Sequence, residues 1–311
     1  MTSIDHLDSG STCLGSLNTS LAVNNLVFSR LNDEMSKLED IAEGSFGVVR
    51  KGVLDIDQCT YTVKQSKRPI SGEGDLQQRL QEIYALSTCD HLNILRYYEG
   101  WVEERSVFLR NEYMSSGSAA KFSRPVPEKI LRSLLLQIAR ALHQLHCMRI
   151  VHRDVKPENI LSIEKSDGTF IFKLCDFGLA RPVWRNATGE QFKGINDDDG
   201  DRNFISPEAL SMCENVRVGY ESDIYALGAT CVALMGGDPS LVRSGTYPTT
   251  WVVDYSSFFR RLIVSMTSQK SSERPDAFTI ACLLGEERTL DDVGEKRELI
   301  ETLKAKIEAL R

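Results

Sequence analysis

The stretch His152-Arg153-Asp154-Val155-Lys156-Pro157-Glu158-Asn159, followed downstream by Asp176-Phe177-Gly178, constrains this chain more than any other feature. Its residue types suit phosphoryl transfer. Asp154 can accept the proton of an attacking hydroxyl. Asn159 and Asp176 can hold Mg²⁺ ions that neutralise charge on phosphate oxygens. Lys156, two residues after Asp154, is placed to reach a transferred phosphate and stabilise its charge in the transition state. Either stretch alone could arise by chance. In this order, and with the partners that follow, coincidence explains them poorly.

The two stretches match the H-R-D-x-x-x-x-N catalytic loop and the D-F-G turn of protein kinases. The resemblance implies an α+β, bilobal protein-kinase fold: a small β-rich N-lobe, a larger mainly helical C-lobe, and ATP with Mg²⁺ as cofactors. Upstream, Ile41-Ala42-Glu43-Gly44-Ser45-Phe46-Gly47-Val48-Val49 resembles the phosphate-covering loop G-x-G-x-x-G-x-V. Ala42 replaces the first glycine, while Gly44, Gly47 and Val49 are in place. Glycine lets backbone approach phosphate without a side chain between them. Alanine costs little at negative φ and stiffens the loop slightly. Lys64, in the strand-like run Tyr61-Thr62-Val63-Lys64, should contact the α- and β-phosphates and pair with Glu82 on a small-lobe helix. Thr62 stands where kinases commonly place alanine against the adenine, and its methyl can still pack there. Leu161 is expected beneath the adenine. Ile41, Asn111, Glu112 and Met114 complete the expected ATP-binding set.

Supporting residues are also readable. Glu208, in Ser206-Pro207-Glu208, should form a buried ion pair with Arg274. Asp223 should brace the catalytic-loop backbone. His152 should pack and hydrogen-bond rather than act as a base. His6, His91, His143 and His146 carry no ligand or triad spacing.

Residues 1–33 are rich in Ser, Asn, Thr and Leu without periodicity, and read as a flank that is either inert or a regulatory or packing segment. Residues 34–112 read as the N-lobe, with strands at 46–52, 61–64, 94–98 and 106–110. Leu76, Leu80, Ile83 and Leu86 have helical spacing. Residues 113–285 read as the C-lobe. There Ile130 to Leu145 carries a long apolar stripe, and Ile224 to Met235 is apolar nearly all round, as a buried helix is. Residues 286–311 read as a charged C-terminal helix, packing on its own domain or forming a short coiled coil.

The chain has 311 residues, enough for a bilobal unit with a sizeable core. Net charge −7 argues against a broad nucleic-acid surface. The 8 cysteines are scattered, with no C-x-x-C zinc spacing, and suggest a reducing compartment, cytoplasm or nucleus. No apolar run approaches transmembrane length, the N-terminus lacks a signal pattern, and no membrane association is expected.

The run Asn93-Ile94-Leu95-Arg96-Tyr97-Tyr98-Glu99-Gly100-Trp101-Val102-Glu103-Glu104 resembles both the Wee-type kinases and the kinases of the initiation factor 2 α-subunit. Asn111, at the residue guarding the back of the ATP pocket, is similar to the Wee family. So are the uninterrupted span from Trp101 to Asn111, the stretch Tyr61 to Pro69, and Gly200-Asp201-Arg202-Asn203-Phe204. Animal Wee kinases have Met for Arg153 and Leu for Phe177, so this chain departs from them there. The resemblance implies a monomeric tyrosine kinase whose substrate is the glycine-rich loop of a cyclin-dependent kinase. Phosphate added there would sit beside bound ATP, inhibit the target and restrain the onset of mitosis. Asp201, where most Ser/Thr kinases carry threonine, should favour Lys156 and repel Asp154. Asp197-Asp198-Asp199 either replaces a phosphorylated activation loop or is a solvated acidic stretch. A Ser/Thr kinase of the initiation-factor class and a pseudokinase scaffold stay open as alternatives.

Overall fold

Period-two alternation builds the first part of the molecule. The computed structural model describes residues 29–44, 47–67, 69–74, 76, 79–80, 83, 87–183, 201–210, 219–248 and 251–285. Strands β1 (Met35–Glu43), β2 (Gly47–Leu54), β3 (Thr60–Ser66), β4 (Tyr97–Glu103) and β5 (Ser106–Glu112) pair antiparallel. Their spatial order is β1-β2-β3-β5-β4. Successive side chains point to opposite faces of a strand. Val107 and Leu109 of β5 therefore join the main core, while Phe108 joins Leu31, Met35, Leu54 and Val63 on the other face.

That outer face is closed by helix α1 (Arg30–Glu34). Leu31 is buried in it, and the Arg30 guanidinium lies 4.8 Å from the centre of the Trp101 ring. Residues 30–33, expected in the flank, thus cover the sheet. The strand expected at 94–98 starts only at Tyr97. Ile94 instead makes a parallel bridge to Leu174. Leu95 N–H donates to the Leu174 carbonyl, and Leu174 N–H donates to that of Asn93, both at 2.9 Å. Local β-propensity is the same in either setting; the partner strand decides. Of the expected small-lobe helix, Leu76, Leu80 and Ile83 are helical and Ile83 packs on the main core. Leu86 lies outside the described residues.

The rest of the described chain is mainly helical. Helix α2 (Glu128–Cys147) carries its stripe as expected: Leu131, Leu134, Leu135, Ile138, Ala141, Leu142 and Leu145 are all 0% exposed. Helix α3 (Glu221–Leu234) buries every residue after Glu221. Each fully buried Leu or Ile contributes roughly 1.5–3 kcal/mol, so these two helices anchor the lobe. Helices α4 (Ser257–Met266) and α5 (Ala277–Gly285) flank them, α4 on α3 and α5 on α2. A Cβ on Gly228 would stand 2.6 Å from the Thr267 methyl, so glycine sets the close approach of α3 to the end of α4.

Short strands position the motifs. β6 (Gly117–Ser118), β8 (Ile160–Glu164) and β9 (Phe170–Leu174) form one small sheet; β7 (Ile150–Val151) and β10 (Arg181–Pro182) pair in another. The catalytic-loop stretch lies between β7 and β8, and Asp176 follows β9. Among the described residues no helix is long and apolar enough to cross a membrane.

Candidate active site

The loop between β7 and β8 hangs from a buried carboxylate. Asp223, in the first turn of α3, is 0% exposed. It accepts the backbone N–H of His152 at 2.9 Å and of Arg153 at 2.8 Å, and lies 3.0 Å from His146 Nε2. Burial pushes its carboxyl up. Hydrogen bonding and charge from His146, with the His152 N–H, more than reverse this and hold it below the usual carboxylate range. The grip also holds Arg153 at φ 69°, a left-handed conformation that costs an L-residue roughly 1–2 kcal/mol. His152 is fully buried, its Nε2 3.1 Å from the Cys175 carbonyl and its ring edge-on to Phe177.

Asp154, Lys156 and Asn159 come together on this support. Lys156 Nζ donates to both Asp154 carboxylate oxygens at 2.9 Å. Asn159 Nδ2 donates to Asp154 Oδ2 at 2.7 Å and to its backbone carbonyl at 2.8 Å. The carboxylate is thus fixed in orientation and charge-compensated. Cys175 N–H donates to the Asn159 carbonyl at 2.9 Å. That bond joins the catalytic-loop stretch to the segment that delivers Asp176.

Asp176 turns toward the N-lobe at φ 63°. Its Oδ1 accepts Lys64 Nζ at 2.7 Å, between side chains 17% (Lys64) and 24% (Asp176) exposed. Burial raises the Asp176 carboxyl; the charge and hydrogen bond of Lys64 outweigh this and lower it. Glu82, the expected partner of Lys64, lies outside the described residues. Among those residues, no three His, Cys, Asp or Glu side chains gather as a closed metal site. Asn159 and Asp176 fit a cation completed by phosphate oxygens and water, the usual coordination of Mg²⁺.

The sheet brings several of the expected nucleotide residues onto one face. Cross-strand partners share a face. Ala42 pairs with Val49, Val49 with Lys64, and Lys64 with Leu109. Thr62 pairs with Asn111 in the neighbouring row. Ala42, Val49, Lys64, Thr62 and Asn111 therefore line one side. Ile41 and Gly44 are exposed near the β1–β2 turn, whose residues 45–46 lie outside the described set. A Cβ on Gly47 would collide with the Gln65 carbonyl, so strand approach alone requires this glycine. Met114 and Leu161 meet Leu95 and Cys175 in one apolar cluster.

Two arrangements go beyond the sequence reading. The Glu112 side chain does not offer itself to a ligand: its Oε1 accepts Lys173 Nζ and Arg96 N–H, both at 2.6 Å. Lys173 carries no motif in the sequence beyond its position in β9, shortly before Asp176. Asp201 does not engage Lys156 as expected. Its Oδ1 accepts the N–H of Asn203 at 2.9 Å, because a short acid beside a turn finds that donor first. Asp197, Asp198 and Asp199 lie outside the described residues. The Glu208–Arg274 pair forms bidentately at 2.6 and 2.7 Å, with Arg274 buried.

Comparison with known proteins agrees with this geometry. The profile of the protein kinase domain family matches residues 35–300. The chain is 31% identical over 283 residues to Wee1-like protein kinase 1-A of Xenopus laevis, covering 81% of this chain and 48% of that one. It is 33% identical over 234 residues to Wee1-like protein kinase 2 of Xenopus tropicalis, covering 68% and 40%. It is 30% identical over 282 residues to Wee1-like protein kinase 2 of Gallus gallus, covering 80% and 48%. The chain spans about half the length of these relatives or less.

Proposed function

This chain belongs to the protein kinase family, with Wee1-like kinases among its relatives, and we propose that it transfers the γ-phosphoryl group of Mg-ATP to a tyrosine in the glycine-rich loop of a cyclin-dependent kinase. One observation carries the reading: Asp154, Lys156 and Asn159 form a hydrogen-bonded cluster tied through Cys175 N–H to the segment that sets Asp176 on Lys64.

Bound Mg-ATP supplies the phosphoryl group and the cation charge. Asn159 and Asp176 would hold the metal. Lys64 leaves Asp176 for the α- and β-phosphates, exchanging one anionic partner for another. Asp154 orients the acceptor hydroxyl and takes its proton as the new O–P bond forms and the bond to the leaving ADP oxygen breaks. Lys156 stabilises charge on the transferring group. The adenine lies between the sheet wall and the Met114–Leu161 cluster.

Asp201 supports a tyrosine acceptor. A threonine there could donate a hydrogen bond toward Asp154; an ionised carboxylate has no proton to donate. With Asp201 turned to Asn203, the acceptor floor lacks that brace for a short side chain. A tyrosine hydroxyl stands farther from its own backbone and still reaches Asp154. Lys156 speaks for the Ser/Thr reading, since it is the lysine typical of those kinases. Phosphoamino-acid analysis of a catalytically dead cyclin-dependent kinase offered as substrate decides between them. Phosphotyrosine is expected; predominant phosphoserine or phosphothreonine overturns the reading and favours the initiation-factor class.

A further inference from the structure

Away from the candidate active site, helix α4 borders a cavity of about 860 Å³, shared with residues 245–248 and 267–269 and with Trp251. Ligand pockets commonly measure roughly 300–1,000 Å³. Trp251 is 3% exposed, and its indole N–H has no hydrogen-bond partner. Arg260, on α4, lines the same cavity, and the N–H on its Nε is buried without a partner. Indole and guanidinium can only donate. A buried donor left unpaired is costly. Two of them on residues lining one cavity call for an explanation, and an acceptor brought by a ligand supplies it.

The rest of the lining says what kind of acceptor. Arg260 and the exposed Arg261 set two cations there, and among the described residues neither forms an ion pair. The carboxylate that shares the lining, Glu273, is already engaged: Ser268 Oγ donates to it at 2.7 Å and Lys270 Nζ lies 3.1 Å away. Apolar surface surrounds these groups. The Tyr247 ring centre stands 4.9 Å from that of Trp251, its hydroxyl is bonded to Thr267 Oγ1 at 2.7 Å, and Val264 is exposed. A phosphate carries more charge and suits apolar walls poorly. A carboxylate brings one charge, matches the guanidinium fork, and can ride on a body that lies against such walls. We propose that this cavity binds a monocarboxylate carried on an apolar body, either a free aryl or alkyl acid or an acidic side chain of a peptide next to an apolar one. Arg260 pairs with the carboxylate, Trp251 donates to it, and Tyr247 and Val264 receive the body. The site is independent of the phosphoryl-transfer reading.

The test is a titration of the full ¹⁵N-labelled chain followed by NMR. The chain has 3 tryptophans, hence three indole N–H signals, and Trp101→Phe and Trp184→Phe assign that of Trp251 by elimination. The probes are phenylacetate, its neutral counterpart phenylacetamide, and the blocked dipeptide N-acetyl-Glu-Phe-amide. Phenylacetate should move the Trp251 signal saturably and bind about tenfold or more tightly than the amide, the scale of one charged hydrogen bond. Arg260→Met keeps the apolar stem and removes the donors. It should weaken phenylacetate by about the same factor while the indole signals stay dispersed. A Trp251 signal that phenylacetate does not move, or an amide that binds as tightly, overturns the proposal. So does undiminished binding by Arg260→Met; if that variant does not fold, the acid–amide comparison on wild type decides alone. Given a selective site, tighter binding of the dipeptide than of phenylacetate supports a peptide as the source, and the reverse order supports a free acid.

Discussion

The two halves of the candidate site are held by different means. The Asp154 half hangs on backbone N–H groups gripped by a fully buried carboxylate, Asp223, at the start of a helix buried along its length. In the Lys64–Asp176 half, an ion pair joins partly exposed side chains from the two lobes. The difference matters for chemistry. In the proposed reaction the base must stay in place, and a buried, hydrogen-bonded carboxylate gives Asp154 a rigid anchor. In the proposed reaction Lys64 and Asp176 must release each other when ligand arrives, and a partly exposed ion pair can do so.

The contrast is broken or sharpened by changes on either side. The largest effect is expected at Asp154. Asp154→Asn should cut turnover about 10²–10⁴-fold, the range for losing a general base, with ATP affinity nearly intact. Lys64→Met should also inactivate, but with weakened nucleotide binding, since phosphate positioning is lost. Steady-state kinetics with parallel ATP titration separates the two. If both variants lose ATP binding alike, the halves are not distinct.

Next in size is the anchor. Asp223→Ala removes the acceptor of the buried His152 N–H and the part-buried Arg153 N–H, and the carboxylate partner of His146. Breaking such a buried charged network costs about 3–5 kcal/mol, read as a lower urea midpoint. Asp176→Asn, on the other half, should cost clearly less stability. Equal losses would erase the distinction.

A pH titration of stability probes both halves together. Asp223, Asp176 and Glu208 all have carboxyls held below their ordinary range, after burial, by His146, Lys64 and Arg274 respectively. Groups lowered on folding contribute stability above the unfolded carboxylate pKa of about 4, and lose it as pH falls through the lower folded values. The urea midpoint should therefore be flat near neutrality and fall in acid. In Asp223→Asn the acid-side slope should be shallower; an unchanged slope contradicts the assignment.

The smallest effect is expected at the connection between lobes. Lys173→Met removes the charged partner of Glu112, both side chains being mostly buried. Since the pair ties the end of β5 to β9 without touching the reacting groups, turnover and ATP affinity should each change by less than about tenfold, the scale of one charged hydrogen bond. A loss as large as that of Asp154→Asn would place Lys173 in the machinery.

The rigid half was the more legible in the sequence. Asp154, Lys156 and Asn159 sit within one loop, so their meeting follows from spacing alone. The apolar stripe of α2 and the uniformly apolar α3 also read directly as buried helices. The Glu208–Arg274 pair was recoverable because both residues stand in recognisable motifs. The other half depends on tertiary partners that no local pattern encodes. Asp176 meets a lysine 112 residues away and Glu112 one 61 residues away. Ile94 and Leu95 have the composition of a sheet strand yet bind Leu174, because β9 offers a free edge there. Thr62 was legible as a departure from alanine; the direction of its hydroxyl was set by a carbonyl 50 residues on.

The most direct test of the account is phosphoryl transfer by the purified chain with γ-labelled Mg-ATP, beside Asp154→Asn, with ATP binding measured on both. The account predicts that both proteins bind ATP and that only wild type transfers label to a protein hydroxyl at an appreciable rate. Wild type that binds ATP but transfers nothing, or Asp154→Asn that transfers as well as wild type, would contradict it.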